Sequence, residues 1–397
     1  MFISENTSRI FVIISSILFI IWYSYLDLGF FDIGLYYEEL GTLQTVFTIL
    51  FLFCYYFMSF VFYVDNEGKN VNVFINETGE KVTFKLNVFE AMIFKVIFLP
   101  LFLATSYRVL LIVSLFYGVI FSIVFYIKGR LGRSTSKVNK PTYNIIKDFY
   151  DGIELIPRIS TVENVDLKLF VVGHIGMCLW FLLNLRNAVV GLYNGTSIPF
   201  TIAFLQAFYI LFWAANEEWY LHTIDMNYDK LGYYLCFGGF CWIPAVYCNY
   251  TYYTSIVIVE HDTLTLLLYC VIYFIGFYIF YKSNIQRYMF RKGLCPQLSY
   301  IEAKYICNDE ICSNKLLIDG WWKSCRHINY LGDIIMVLSL SLIVGFNNII
   351  SHLYTVMLIF LLLHRIQRDE LKCLKKYGDD WLRYKSIVPY ALIPGIY

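Results

Sequence analysis

Between Asp319 and Tyr397 the chain gathers side chains suited to holding a polar ligand at the edge of an apolar environment. Arg365 and Asp369 are four residues apart, so on a helix they share a face, and Cys373 continues that face one turn later. A carboxyl group there can carry a proton, with burial and the neighbouring guanidinium acting on it in opposite senses. Tyr377, Trp381 and Tyr384 follow closely. Aromatic rings and guanidinium groups together suit the planar bases and phosphates of a nucleotide. Arg365 and Asp369 alone fit two readings: a salt-bridged helix end whose arginines snorkel to headgroups, or one wall of a pocket. The aromatic cluster favours the pocket.

Three other stretches carry ionisable groups. Arg287 and Arg291 are one helical turn apart beyond an apolar run. Two cations on one face suit a phosphate, although from these residues alone the ordinary excess of basic residues on the cytosolic side explains them better. In Trp213–Asp229, the residues Glu217, Glu218, His222, Asp225 and Asp229 follow an apolar span directly, with Tyr209 two turns before Glu217. Ionisable groups at membrane depth mark a functional site by default; a solvated loop is the other reading. Asp148, Asp151 and Glu154 punctuate aromatics before Pro157, Arg158 follows it, and the stretch suits a surface helix packed on the core. The spacing of Cys295, Cys307, Cys312, Cys325 and His327 fits no zinc template, so no metal is expected. There is no Walker loop and no Gly-rich dinucleotide fingerprint, so any nucleotide is held by something other than a Rossmann turn.

The elements that must position these groups are membrane helices. Of the 397 residues 59% are hydrophobic and only 15% charged, with mean hydropathy +0.59; a soluble domain carries about a quarter charged residues. Apolar runs predict about ten spans: Ile10–Phe30, Thr42–Val64, Val88–Leu103, Tyr107–Ile127, Leu167–Leu185, Ile198–Ala215, Leu231–Cys248, Leu264–Tyr281, Tyr330–Gly345 and Ile349–Leu363. The first lacks a basic leader and a small-residue cleavage site, and reads as a retained helix. Basic clusters follow the fourth span (Lys128, Arg130, Arg133, Lys137, Lys140, Lys147), the eighth (Lys282, Arg287, Arg291, Lys292) and the tenth (Arg365, Arg368, Lys372, Lys375, Lys376). All follow even-numbered spans, which predicts cytosolic termini, with Glu38, Glu39, Glu260 and Asp262 on the opposite side. Val71–Leu86 is polar and β-like around a turn at Thr78-Gly79. A net charge of +1 gives no case for nucleic-acid binding, and the eleven cysteines, many inside apolar spans, predict reduced thiols. One all-α, polytopic, membrane-embedded domain over 1–397 is the simplest organisation.

Together these pieces resemble the sterol reductase family: the delta-14 and delta-7 sterol reductases, the fungal C-24 reductases and the membrane part of the lamin B receptor. The likeness rests on Gly320-Trp321-Trp322, Arg326-His327, Asn329-Tyr330 and Gly332-Asp333, then on His364-Arg365, Arg368-Asp369-Glu370, Cys373, Lys376-Tyr377-Gly378, Trp381 and Tyr384, and finally on Val388-Pro389-Tyr390 and Pro394-Gly395-Ile396-Tyr397. Glu217-Glu218 with Thr223–Met226, and Asp148–Tyr150 with Glu154 and Arg158, resemble two further family blocks. The match covers 144–397, the expected reductase core, and is weak over 1–143. Phe212 stands where many members have Asp, Gly239 where the delta-14 branch has Asp, Ile153 where Arg is frequent, and Ala391 where Arg is common.

The resemblance implies a ten-helix fold with a cytosol-facing NADPH pocket in its C-terminal half and a cavity open to the bilayer for a sterol. Arg287, Arg291, Leu317, Trp322, Asn329, Tyr330, Arg365, Asp369, Cys373, Tyr377 and Tyr384 would hold NADPH. Asp369 and Tyr209 would be catalytic, and Glu217, Glu218 and Asp225 are pocket candidates. An isolated sterol double bond is unpolarised, so an acid must protonate one carbon before hydride adds to the other. The implied activity is NADPH-dependent reduction of a sterol carbon–carbon double bond, delta-14 favoured, with delta-7 or C-24(28) as alternatives, in the endoplasmic reticulum or contiguous nuclear membrane. Two other classes compete. An isoprenylcysteine-type methyltransferase shares a related C-terminal pattern, but the chain's length, Arg287 with Arg291, and Arg365 with Asp369 speak against it. A lamin-receptor-like scaffold would be expected to carry a long basic N-terminal region, whereas nine residues precede Ile10.

Overall fold

The computed structural model describes residues 5–26, 42–75, 80–132, 140–142, 144–159, 165–307 and 310–397. Among the described residues, seven helices are long and apolar enough to cross a bilayer: Glu5–Trp22, Thr42–Asp65, Tyr107–Leu131, Leu167–Tyr193, Ile198–Ala215, Thr263–Arg291 and Ile349–Tyr377. The protein is therefore a polytopic, predominantly helical membrane protein.

The remaining three apolar runs fold differently, each for a local reason. Val88–Lys95 is α-helical, Val96–Phe98 tightens into a 3₁₀ turn, and Leu99–Leu103 restarts as a helix with Pro100 in its first turn. Proline is tolerated there because that N–H has no partner within the helix. Tyr233–Phe237 passes into a π-helix, Gly238–Tyr247, with Pro244 inside it. Ile328–Val344 is a regular helix of 17 residues, apolar but short.

The chain divides into two compact units, residues 1–252 and 253–397. At the heart of the first is Leu167–Tyr193, 94% of whose most apolar window is buried. Asp166 caps it, accepting from the N–H groups of Lys168 and Leu169. Its Phe170–Met177 segment is π-helical and meets the other π segment closely. A Cβ added to Gly239 would lie 2.7 Å from the Val171 carbonyl oxygen, so a side chain there would force the two segments apart. Lys69–Ile75 and Glu80–Leu86 form an antiparallel hairpin in the register Lys69↔Leu86 to Ile75↔Glu80. Its expected turn at Thr78-Gly79 lies outside the described residues, as do Glu38, Glu39, Arg133 and Lys137.

In the second unit Thr263–Arg291 packs along Ile328–Val344 through a glycine contact. A Cβ on Gly332 would come within 2.6 Å of the Phe280 backbone nitrogen, and one on Gly276 within 2.9 Å of the Gly332 oxygen. Between these helices lies a second antiparallel hairpin, Tyr300–Cys307 with Glu310–Leu317, which the sequence reading does not anticipate. Leu353–Tyr377 ends at Gly378, whose φ of +53° suits glycine, and Asp379–Ile387 follows as a separate short helix.

Candidate functional site

The second unit brings most of the C-terminal candidates together around the end of Leu353–Tyr377. One wall is built from Gly320–Tyr330. Gly320, at φ +59°, lets the chain pass against Gln286, whose Oε1 accepts the Trp321 N–H at 2.9 Å. The Trp322 indole N–H donates to the Ser283 carbonyl at 2.9 Å, and the Arg287 guanidinium lies 4.6 Å from the centre of a Trp322 ring. Trp322 is buried with Leu317, Cys325 and Ile328, so the tryptophan that positions Arg287 is itself fixed by the core. Asn329 donates to the Asn284 Oδ1 at 3.5 Å.

Arg326 ties this wall to the last helices. Its Nε donates to Glu370 at 2.6 Å, and its Nη1 donates to the carbonyls of Val388 and Pro389 at 2.7 Å each. Lys385 completes the network on the other oxygen of Glu370 at 2.9 Å. The backbone N–H groups of Arg326 and His327 donate to the Tyr390 and Ala391 carbonyls at 3.0 Å. The Val388–Ala391 segment thus holds His327 in place beside Asp369, with His327 Nε2 at 3.8 Å from Asp369 Oδ2. The His327 ring lies nearly parallel to Tyr330, centroids 5.2 Å apart. Burial, with Arg287 nearby, pushes the imidazole down to about 3, so it is neutral at physiological pH.

The second hairpin packs against the last two helices. Ile301 packs with Trp381, Tyr384 and Val388, and Cys373 and Tyr377 close over that cluster. Asn314 donates to the Tyr377 hydroxyl at 2.9 Å, and Lys376 sits 3.9 Å above the Tyr305 ring. Burial raises the Tyr384 hydroxyl to about 12 although Arg287 and Arg326 lie near, so it stays protonated and can donate. Asp369 has Arg287, Glu370, Lys372 and Arg291 as electrostatic neighbours, whereas Arg365 acts on Asp333. Asp333, His327 and Arg326 are residues of this site to which the sequence reading assigns no cofactor or catalytic role. Their signal was their place in the Arg-His and Gly-Asp motifs.

The family model described as "Ergosterol biosynthesis ERG4/ERG24 family" matches residues 6–397. The chain belongs to the ERG4/ERG24 family. It is 40% identical over 266 residues to the Delta(14)-sterol reductase ERG24 of Candida albicans, a match covering 66% of this chain and 57% of that protein. It is 37% identical over 268 residues to the 7-dehydrocholesterol reductase of Xenopus laevis, covering 65% of this chain and 56% of the relative. With the Delta(14)-sterol reductase of Arabidopsis thaliana it shares 28% identity over 372 residues, covering 90% of this chain and 97% of the relative. The chain thus spans little more than half the length of the first two relatives.

The other candidates lie in the first unit of this ERG4/ERG24 member. Tyr209 is half-buried on Ile198–Ala215, with its ring centroid 5.9 Å from that of Trp180. Glu217 Oε2 accepts the Val88 N–H at 3.2 Å, and burial raises its carboxyl to about 8. Glu218 pairs with Lys69 at 2.7 Å. The buried Asp225 offers its carbonyl to the Lys168 ammonium at 2.8 Å, which also donates to the carbonyls of Met226 and Asp229. Lys168, fully buried and used to fasten 225–229, was not foreseen. Among the described residues no cluster of His, Cys, Asp and Glu could hold a metal ion.

Proposed function

We propose that the chain reduces a carbon–carbon double bond of a sterol with NADPH, the delta-14 bond first in order. The observation that carries this reading is the convergence in one unit of Arg287 on Trp322, Asp369 beside neutral His327, and Cys373, Tyr377 and Tyr384 on the hairpin side. These residues fit a dinucleotide phosphate. Arg287 and Arg291 supply cations for phosphate, and the aromatic side chains supply stacking faces and a hydroxyl donor. Leu317, Asn329, Tyr330 and Arg365 complete the proposed set. NADPH, when bound, supplies hydride.

This chain's own part is proton delivery and orientation. Asp369 gives a proton to one sterol carbon, and Tyr209 is the other proposed catalytic residue. The second carbon, left electron-poor, becomes the hydride acceptor. Neutral His327 adds no further positive charge to the cations around Asp369, and Arg326 fixes the helix that carries it. We further propose ten crossings, with 88–103, 231–248 and 330–345 spanning alongside the seven long helices. We also propose a single membrane-embedded domain whose reductase core is 144–397, cytosolic termini, and residence in the endoplasmic reticulum membrane. Support for the delta-14 bond comes from the relatives of that name, and the Xenopus relative makes the delta-7 bond the second reading. Sterol profiling after expression in cells lacking one reductase at a time tests the assignment. Rescue of the delta-14 defect alone supports it; rescue of the delta-7 defect alone moves it to the second reading; rescue of neither refutes it.

A further inference from the structure

The first unit holds ionisable groups that the chemistry above leaves unused. Lys95, His174 and Glu217 are 1%, 0% and 4% exposed. They come from three separate segments: the end of Val88–Lys95, the π-helical Phe170–Met177 and the 3₁₀ turn Glu217–His222. The fold nevertheless makes them neighbours. Lys95 donates to the His174 carbonyl at 2.6 Å. Glu217 Oε1 lies 3.8 Å from where a Cβ on Gly173 would stand, the residue before His174. Lys95 and Glu217 both act electrostatically on Cys178, one turn beyond His174.

Several polar atoms here have no hydrogen-bond partner among the described residues: Glu217 Oε1, both ring nitrogens of His174, and the Tyr55 hydroxyl. Buried groups of this kind are costly to leave bare. A neutral imidazole offers one donor and one acceptor, and the carboxyl group adds an acceptor. The surroundings are apolar. The Tyr63 ring lies 4.3 Å from the His174 ring and Phe170 6.2 Å away, while Val88 and Trp213 close on Gly173. Burial keeps the Glu217 carboxyl largely protonated at neutral pH and Lys95 already donates to a backbone carbonyl, which disfavours an ionic ligand. An apolar wall with a few convergent donors and acceptors suits a largely apolar molecule bearing a single hydroxyl. A π-helix at this point and ionisable groups among membrane helices are both features of functional sites.

We infer that Lys95, His174 and Glu217 form a site in the first unit that receives the ring hydroxyl of the sterol. The inference rests on the sterol reading proposed above and adds the group by which the sterol is recognised. The test compares binding of a delta-14 sterol with that of its deoxy counterpart, identical except for the missing ring-A hydroxyl, to purified full-length protein in lipid nanodiscs. The wild type is expected to prefer the hydroxyl sterol by on the order of tenfold or more, because a site built around a hydroxyl rejects the analogue lacking it. H174F keeps a ring to pack on Tyr63 but removes both nitrogens, and it should erase most of the preference. H174Q should retain part of it. Unchanged NADPH affinity shows that a variant is folded; where H174F fails that check, H174Q and E217Q carry the comparison. A wild type without preference, or folded variants that keep all of it, would overturn the inference while leaving sterol reduction standing. If neither sterol binds to protein that binds NADPH, the sterol reading itself fails.

Discussion

The two units concentrate their charged groups in opposite ways. In the second, Arg287, Arg326, Asp369 and Glu370 lie where helices end and a hairpin and the C-terminal segment close over them, and their partners are other side chains and loop carbonyls. In the first, Lys95, Lys168, His174 and Glu217 are almost wholly buried among apolar helices, and the two lysines spend their donors on backbone carbonyls. Charge at a helix end beside loops can exchange with solvent and suits a charged, water-borne ligand. Charge sealed among helices suits a neutral group arriving from the apolar phase, or serves as a fastening. This comparison supports the proposal that the cofactor binds in the second unit and the polar end of the lipid in the first.

The sharpest way to break the comparison is to remove the proton donor. D369N should lower kcat by on the order of a hundredfold or more while sterol binding persists; steady-state rates with a sterol binding assay check it, and undiminished turnover removes Asp369 from the mechanism. Next in size is R326A, which leaves Glu370 with Lys385 alone and strands the Val388 and Pro389 carbonyls. Breaking a buried pair from one side predicts a loss of about 3 kcal/mol, read as a lower unfolding temperature, with NADPH affinity falling because the His327 wall is anchored through the same segment. Smaller is G332A. Its methyl group would meet the Phe280 backbone, and overpacking of this kind costs about 1–3 kcal/mol.

The first unit yields a prediction read as a slope against pH. The folded Glu217 carboxyl titrates near 8 against an ordinary value of 4.5. A raised carboxyl favours the protonated fold, so its contribution is complete below about 4.5 and is lost as pH rises towards about 8. The slope is at most about 1.4 kcal/mol per pH unit. E217Q should flatten that part of the stability profile; an identical slope in both proteins would place the titrating group elsewhere.

The C-terminal site was legible because its residues are close in sequence and each motif is nearly contiguous: Arg365, Asp369 and Cys373 need only helical periodicity to share a face. The action of Arg365 on Asp333 was not legible, since it depends on how Ile328–Val344 packs on its neighbours. The hairpin Tyr300–Leu317 was missed although its signal is present. Ile301 and Ala303, 5% and 0% exposed, alternate with Glu302 and Lys304, the period of a strand, but the alternation is short and the nearby cysteines invited a search for zinc instead. Seven spans followed from hydropathy alone. The breaks at Val96–Phe98 and Gly238–Tyr247 did not, because Pro100 and Pro244 admit more than one local solution. The cluster of Lys95, His174 and Glu217 is scattered over more than a hundred positions and only the fold assembles it.

The central claim, that the nucleotide is gripped at the end of the last membrane helix, is tested most directly by titrating NADPH into wild type, R287A and H174F. Loss of a charge-assisted contact to phosphate is worth about 2 kcal/mol, so R287A should bind on the order of thirtyfold more weakly and H174F as tightly as the wild type. Equal affinity in R287A and wild type, or a loss confined to H174F, would contradict the account.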